Sequence, residues 1–166
     1  MGNRKNWLFA GFTMLLLVMM AGCGEKEDFE AADKVAYEYI ASKVERDDDR
    51  VIALLTEEGL EYAKKASLVK EGKHLYPGNE TAMKDRYEIV RYEDIGSEDT
   101  LYYRVEYELS NNKLSESTTD YIEMVQNNNE WKLTKPMTIS NDKLEELFPS
   151  ENDKDKGIMV HEYKES

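Results

Sequence analysis

Hydrophobic spacing along the chain changes three times. Trp7 to Met20 is apolar apart from Gly11 and Thr13, with Arg4 and Lys5 ahead of it. Gly24-Glu25-Lys26-Glu27-Asp28 ends that run with charge. Apolar residues then recur at Phe29, Ala32, Val35, Ala36, Tyr39, Ile40 and Val44. Steps of three and four put them on one face and predict a helix over about 29–46. Glu45 to Arg50 interrupts this helix. Asp47, Asp48 and Asp49 suit an N-cap, so they form a joint to a shorter helix carrying Val51, Ile52, Leu54 and Leu55. Thr56-Glu57-Glu58 starts a third helix, continued by Leu60, Ala63 and Leu68.

Residues 70–85 form a loop punctuated by Pro77-Gly78. The period then becomes two. Leu101, Tyr103, Val105, Tyr107 and Leu109 alternate with Tyr102, Arg104, Glu106 and Glu108, which predicts a strand with one apolar and one polar face. Tyr87–Asp94 precedes it through Gly96-Ser97. Thr118–Gln126 follows an Asn111-Asn112 turn, and Glu130–Lys135 follows Asn127-Asn128-Asn129. Connections this short permit hairpins, not crossovers. Asn141–Phe148 is a short helix capped by Asn141 or Asp142 and ended by Pro149. Helices followed by an antiparallel meander define an α+β domain over 29–148. The mostly charged segment 149–166 is expected to be a flexible tail.

Two stretches resemble the nuclear transport factor 2-like (cystatin-like) superfamily: the helical pair AYEYIASKVERDDDRVIALLTEEGLEYAKK and the hairpin close VQNNNEWKLTK, with Trp131 and Leu133. The resemblance implies N-terminal helices packed on a curved antiparallel sheet that forms a cone. It also implies, for enzymes of that fold, Asp, His or Tyr inside the cone.

The N-terminal run has a different meaning. A basic start, an apolar stretch of about 7–15 residues and a small-residue exit mark a secretory signal, here residues 1–22. It is short for a membrane span of about 20 residues. Met20-Ala21-Gly22-Cys23 resembles the lipobox of bacterial lipoproteins, with Met20 where Leu is usual. The resemblance implies cleavage before Cys23 and acyl chains on its thiol. Residues 23–28 are then the lipidated cysteine and a short tether. One fatty chain holds a protein only marginally, and two or more hold it stably. The expected location is the outer face of a bacterial cell membrane, with the bilayer as partner through Cys23.

Charge narrows the remaining partners. The chain has 35 acidic and 22 basic residues and a formal charge of −13. Loss of Arg4 and Lys5 with the signal makes it more negative. Such a chain repels nucleic-acid phosphates and anionic headgroups, and a protein partner should offer a basic surface. Cys23 is the only cysteine, so it supplies no internal disulfide, zinc set or redox pair.

Candidate chemistry is sparse. His74 lies in the Lys70–Gly78 loop and His161 in the tail, neither at an inward strand position. Tyr37, Tyr39, Tyr87, Tyr103, Tyr107 and Tyr121 either line a small-molecule cavity or fill the core, and the core is the commoner use. Glu151, Asp153, Asp155, Ile158 and Glu162 match calcium-loop positions 1, 3, 5, 8 and 12, but Lys156 stands where glycine belongs. We treat that match as chance. Tyr102, Arg104, Glu106 and Glu108 offer a contact or dimer face, with exposed strand the plainer reading. No phosphate loop, nucleophile elbow or HExxH motif occurs. The expected function is therefore non-enzymatic binding, with no cofactor, no metal and no catalytic residue assigned. A small-molecule-binding cone is the alternative, followed by a hydrolase or isomerase of the same fold.

Overall fold

The computed structural model describes residues 24–68, 87–97, 99–110 and 115–162. The signal segment, Cys23, the 70–85 loop with His74 and the Asn111-Asn112 turn lie outside the described residues. The chain divides into two compact units, Met1–Ala31 and Ala32–Ser166. The described part of the first, residues 24–31, is helical.

Helix α1 spans Gly24–Glu45, starting five residues before the expected position. From Ala32 onward its buried positions are Ala32, Ala36, Tyr39, Ile40, Ala41, Ser42 and Val44, while Val35 is half-buried. The helix stops in a Schellman motif. Arg46 takes a left-handed φ of 57°, Asp47 N–H donates to Ser42 O at 2.9 Å and Arg46 N–H to Lys43 O at 3.3 Å. Asp47 then caps α2 (Asp48–Ala53), its carboxylate accepting from Arg50 N–H at 3.1 Å. Thr56 caps α3 (Glu57–Lys65) by accepting from Gly59 N–H at 3.0 Å.

The strands are β1 (Tyr87–Ser97), β2 (Thr100–Ser110), β3 (Ser115–Asn127), β4 (Glu130–Leu133) and β5 (Ile158–His161). They form one antiparallel sheet in the order β4-β3-β2-β1-β5. The architecture is α+β, helices first and a five-stranded antiparallel sheet after. The β3–β4 turn is Asn128-Asn129, with φ of 51° and 64°. Two positive φ values in a two-residue loop match the twist of a hairpin, and asparagine tolerates them best after glycine. Gly96 has a steric role, because a Cβ there would lie 2.0 Å from Thr100 O.

Cross-strand register sorts the two faces. Ile89, Arg91, Tyr103, Val105, Tyr107, Asp120, Ile122 and Met124 share the face that meets α1. The opposite face was expected to be polar. Instead it carries a second core of Val90, Tyr92, Tyr102, Ile139 and Phe148, with Tyr121, Leu144 and Leu147 against it. Helix α4 (Asn141–Leu147), capped by Ser140, supplies much of the cover. Tyr102 is thus only 7% exposed, and the proposed contact face of Tyr102, Arg104, Glu106 and Glu108 is reduced to its charged members.

The described part of the segment expected to be a flexible tail, residues 149–162, is built into the domain. Glu151–Lys156 is a 3-10 helix with a Ser150–Asp153 capping box, Tyr92 OH donates to Lys154 O at 2.9 Å, and β5 pairs with β1. Only a glycine fits at 157, since a Cβ would meet Val90 Cγ1 at 2.1 Å and Tyr92 Cε1 at 2.8 Å. The calcium-loop spacing from Glu151 is consumed by these elements. Asp153 accepts from Ser150 N–H at 3.0 Å and pairs with Lys156 at 2.5 Å, and Ile158 has already entered β5.

Candidate functional site

Two charged clusters lie between α1 and the sheet. In the first, Arg91 of β1 donates through Nη1 to both oxygens of Asp33 on α1, at 2.7 and 2.6 Å. Its Nε donates to Glu93 at 2.9 Å. Tyr103 OH donates to the same Asp33 at 2.8 Å. The arrangement is a guanidinium between two carboxylates, with a buried phenol fixing one of them. Burial by itself would lower the Arg91 pKa, but its hydrogen bonds to Asp33 and Glu93 outweigh this and hold the guanidinium above its ordinary value. Tyr103 is fully buried. Burial first, then the Asp33 charge and hydrogen bond, push its phenol far above the ordinary range.

The second cluster joins Lys43 of α1 to Asp120 of β3 in an ion pair whose side chains are 16% and 6% exposed. Tyr107 OH donates to the same Asp120 oxygen at 2.9 Å. The Lys43 ammonium also lies 5.6 Å from the ring centres of Tyr39 and Tyr107, within cation–π range. The second cluster pairs one positive with one negative charge, whereas the first sets one guanidinium against two carboxylates.

None of these charged residues stood out in the sequence. A signal was present: Asp33 is seven residues before Ile40, and Lys43 seven after Ala36, so both stand on the apolar stripe of α1. Arg91 likewise follows Tyr87 and Ile89 at period two. A charge on an apolar stripe marks a buried pair, because a buried ion must be matched.

The six tyrosines separate. Tyr39, Tyr103 and Tyr107 are buried and fill the layer between α1 and the sheet. Tyr121 packs against Phe148 on the opposite face, ring centres 5.7 Å apart. Tyr37 and Tyr87 meet at 5.6 Å, and Tyr87 stacks on His161 at 4.1 Å with an 11° interplanar angle. His161, expected in a loose tail, is therefore in β5 opposite Ile89. Among the described residues no group of three His, Cys, Asp or Glu side chains could hold a metal ion.

The buried phenols predict an alkaline transition. Burial pushes Tyr92 from 10 up to about 12, and burial with the Glu123 hydrogen bond pushes Tyr102 higher still. The folded state keeps these protons at pH values where the unfolded chain loses them. Stability is therefore intact below about pH 10 and is lost as pH rises toward 12. Urea titrations at pH 9 and pH 11 should show the midpoint falling, with the tyrosinate absorbance of the buried phenols Tyr92, Tyr102 and Tyr103 appearing on unfolding and not before it. Free ionisation of all tyrosines in the native state near pH 10 would contradict the burial.

Comparison with protein-family models, curated proteins and solved structures finds no match for this chain. Among the described residues no helix is long and apolar enough to cross a membrane.

Proposed function

We propose that this chain is a lipoprotein domain, anchored through acyl chains on Cys23 at the outer face of a bacterial cell membrane, that acts by binding rather than by catalysis. The observation that carries the anchor is Met20-Ala21-Gly22-Cys23, placed at the end of the apolar run and holding the only cysteine. The one-to-one pairing of Lys43 with Asp120, with the Tyr107 hydroxyl also on Asp120, supports binding over catalysis at that cluster. A long helix set against one face of an antiparallel meander supports the nuclear transport factor 2-like cone as the finer fold. The acidic balance favours a partner with a basic surface and disfavours nucleic acid.

The Cys23→Ala chain should lose the anchor. The native protein is expected to stay with membranes through a high-salt wash and to leave with detergent, and the variant to appear in the soluble fraction. Equal retention of the variant would remove the lipid reading.

One geometric feature favours a second reading. Arg91 between Asp33 and Glu93, with Tyr103 on Asp33, is a carboxylate–guanidinium–phenol set suited to orienting a water in a hydrolase or isomerase. Turnover of a small molecule that vanishes in Asp33→Asn while the fold persists would put that reading first. A small molecule bound among the tyrosines without turnover would favour the binding cone.

A further inference from the structure

The segment after Phe148 is fitted to the sheet without being buried in it. Among the described residues Phe148 is the last buried one, and every residue from Pro149 to Glu162 is exposed or half-buried. β2, by contrast, buries Leu101, Tyr102, Tyr103, Val105 and Tyr107. Apolar burial is the dominant favourable contribution to folding, and this segment adds little of it. Its attachments are local. Ile158, Met159 and His161 pair with Arg91, Val90 and Ile89 of β1, and the register shifts between Ile89 and Val90. Tyr92 OH donates to Lys154 O at 2.9 Å, and His161 stacks on Tyr87 at 4.1 Å. All of these partners belong to β1.

The second core does not need this segment to keep most of its cover. Ile139, Leu144, Leu147 and Phe148 all precede Pro149, and the Phe148 ring meets Tyr92 edge-on at 4.8 Å. Units that bury few apolar contacts open at a free energy well below that of global unfolding. We propose that residues 150–161 form a releasable strap, whose β5 leaves the β1 edge as a unit while the rest of the domain stays folded.

Release has two consequences. The bared β1 edge is a template for an antiparallel strand, so β5 is an internal competitor that an incoming strand has to displace. The fit at Gly157 makes the competition selective. A Cβ there would lie 2.1 Å from Val90 Cγ1 and 2.8 Å from Tyr92 Cε1, so a strand in this register needs glycine at that place. The second consequence concerns the first charged cluster. Ile158 stands beside Arg91 in the pairing, and directly opposed residues share a face of the sheet. Release therefore bares the flank of the guanidinium that bridges Asp33 and Glu93.

Amide hydrogen exchange on the full chain in mild detergent, read by mass spectrometry, tests the strap. β5 should exchange roughly a hundredfold or more faster than β2, and low urea should leave its rate unchanged, because a local opening exposes little surface. β2, which needs global unfolding, should speed up as urea rises. Ile122 is fully buried on β3 and keeps its contacts when the strap is released. Ile122→Val should therefore speed exchange in β2 roughly fivefold and leave β5 as it was. Gly157→Ala should speed β5 roughly tenfold by crowding Val90 and Tyr92. A synthetic peptide of Ser150–Glu162, added at about the millimolar level of a tethered segment, should speed exchange in the chain's own β5 without speeding it in β1. The same peptide carrying Gly157→Ala should do neither. One shared rate and urea dependence for β5 and β2, an Ile122→Val effect as large in β5 as in β2, or a native peptide that leaves β5 exchange unchanged would each overturn the proposal.

Discussion

Asp120→Ala should destabilise the domain by about 3 kcal/mol, toward the lower end of what breaking a buried ion pair costs. The residue is 4% exposed, in the layer between α1 and the sheet. Its Oδ2 takes both the Lys43 ammonium and the Tyr107 hydroxyl. Truncation deletes a charge partner and a hydrogen-bond acceptor in a place where water replaces neither fully. Lys43 keeps some access to solvent, at 16% exposure, and its long stem can move the ammonium outward, hence the lower end. The control is Lys43→Met with Asp120→Leu. A buried pair exchanged as a unit for apolar residues is often neutral, so the double variant should recover most of the loss. Urea denaturation of the four chains in this cycle gives the coupling. A single-variant loss under about 0.5 kcal/mol, the size expected at the surface, would mean that the pair is not formed.

Much of the fold was legible because local signals agreed with tertiary demands. Asp47 and Thr56 cap where their side chains suggested. The alternation in β2 assigns Leu101, Tyr103, Val105 and Tyr107 to a buried face. Two kinds of feature escaped. Arg46 terminates α1 in a left-handed conformation that glycine usually takes, so no sequence marker announced it. β5 was hidden for another reason. Four apolar-leaning residues inside a charged segment are too few for a period, and their pairing with β1 crosses more than sixty residues. Once β5 and α4 are placed, the burial of Tyr102 follows, because a strand's second face is polar only where nothing covers it. The charged clusters were half legible. Asp33 and Lys43 broke an apolar stripe, but their partners Arg91 and Asp120 become apparent only when the register is known.

Trp131→Ala should cost about 3–5 kcal/mol, the range for removing a buried aromatic ring. Trp131 is 5% exposed on β4, on the same strand face as Leu133, and Leu133 pairs with Met124 of β3. Leu133 and Met124 are themselves fully buried, so the cavity cannot be filled by a shift of exposed side chains. The ring belongs to the strand that, through Leu133, binds the Leu54–Thr56 segment, which links α2 to α3. Loss of the ring should therefore loosen that joint as well as the sheet edge. The indole N–H contributes differently. Nε1 is buried with no hydrogen-bond partner among the described residues, a cost of about 1–3 kcal/mol that the folded state carries. Trp131→Phe removes that donor along with part of the ring, so its loss should be far smaller than that of Ala. Equilibrium unfolding followed by circular dichroism separates the cases. Nearly equal losses for Phe and Ala would show that the indole nitrogen holds a bond that matters. A loss under about 1 kcal/mol for Ala would place the ring outside the core.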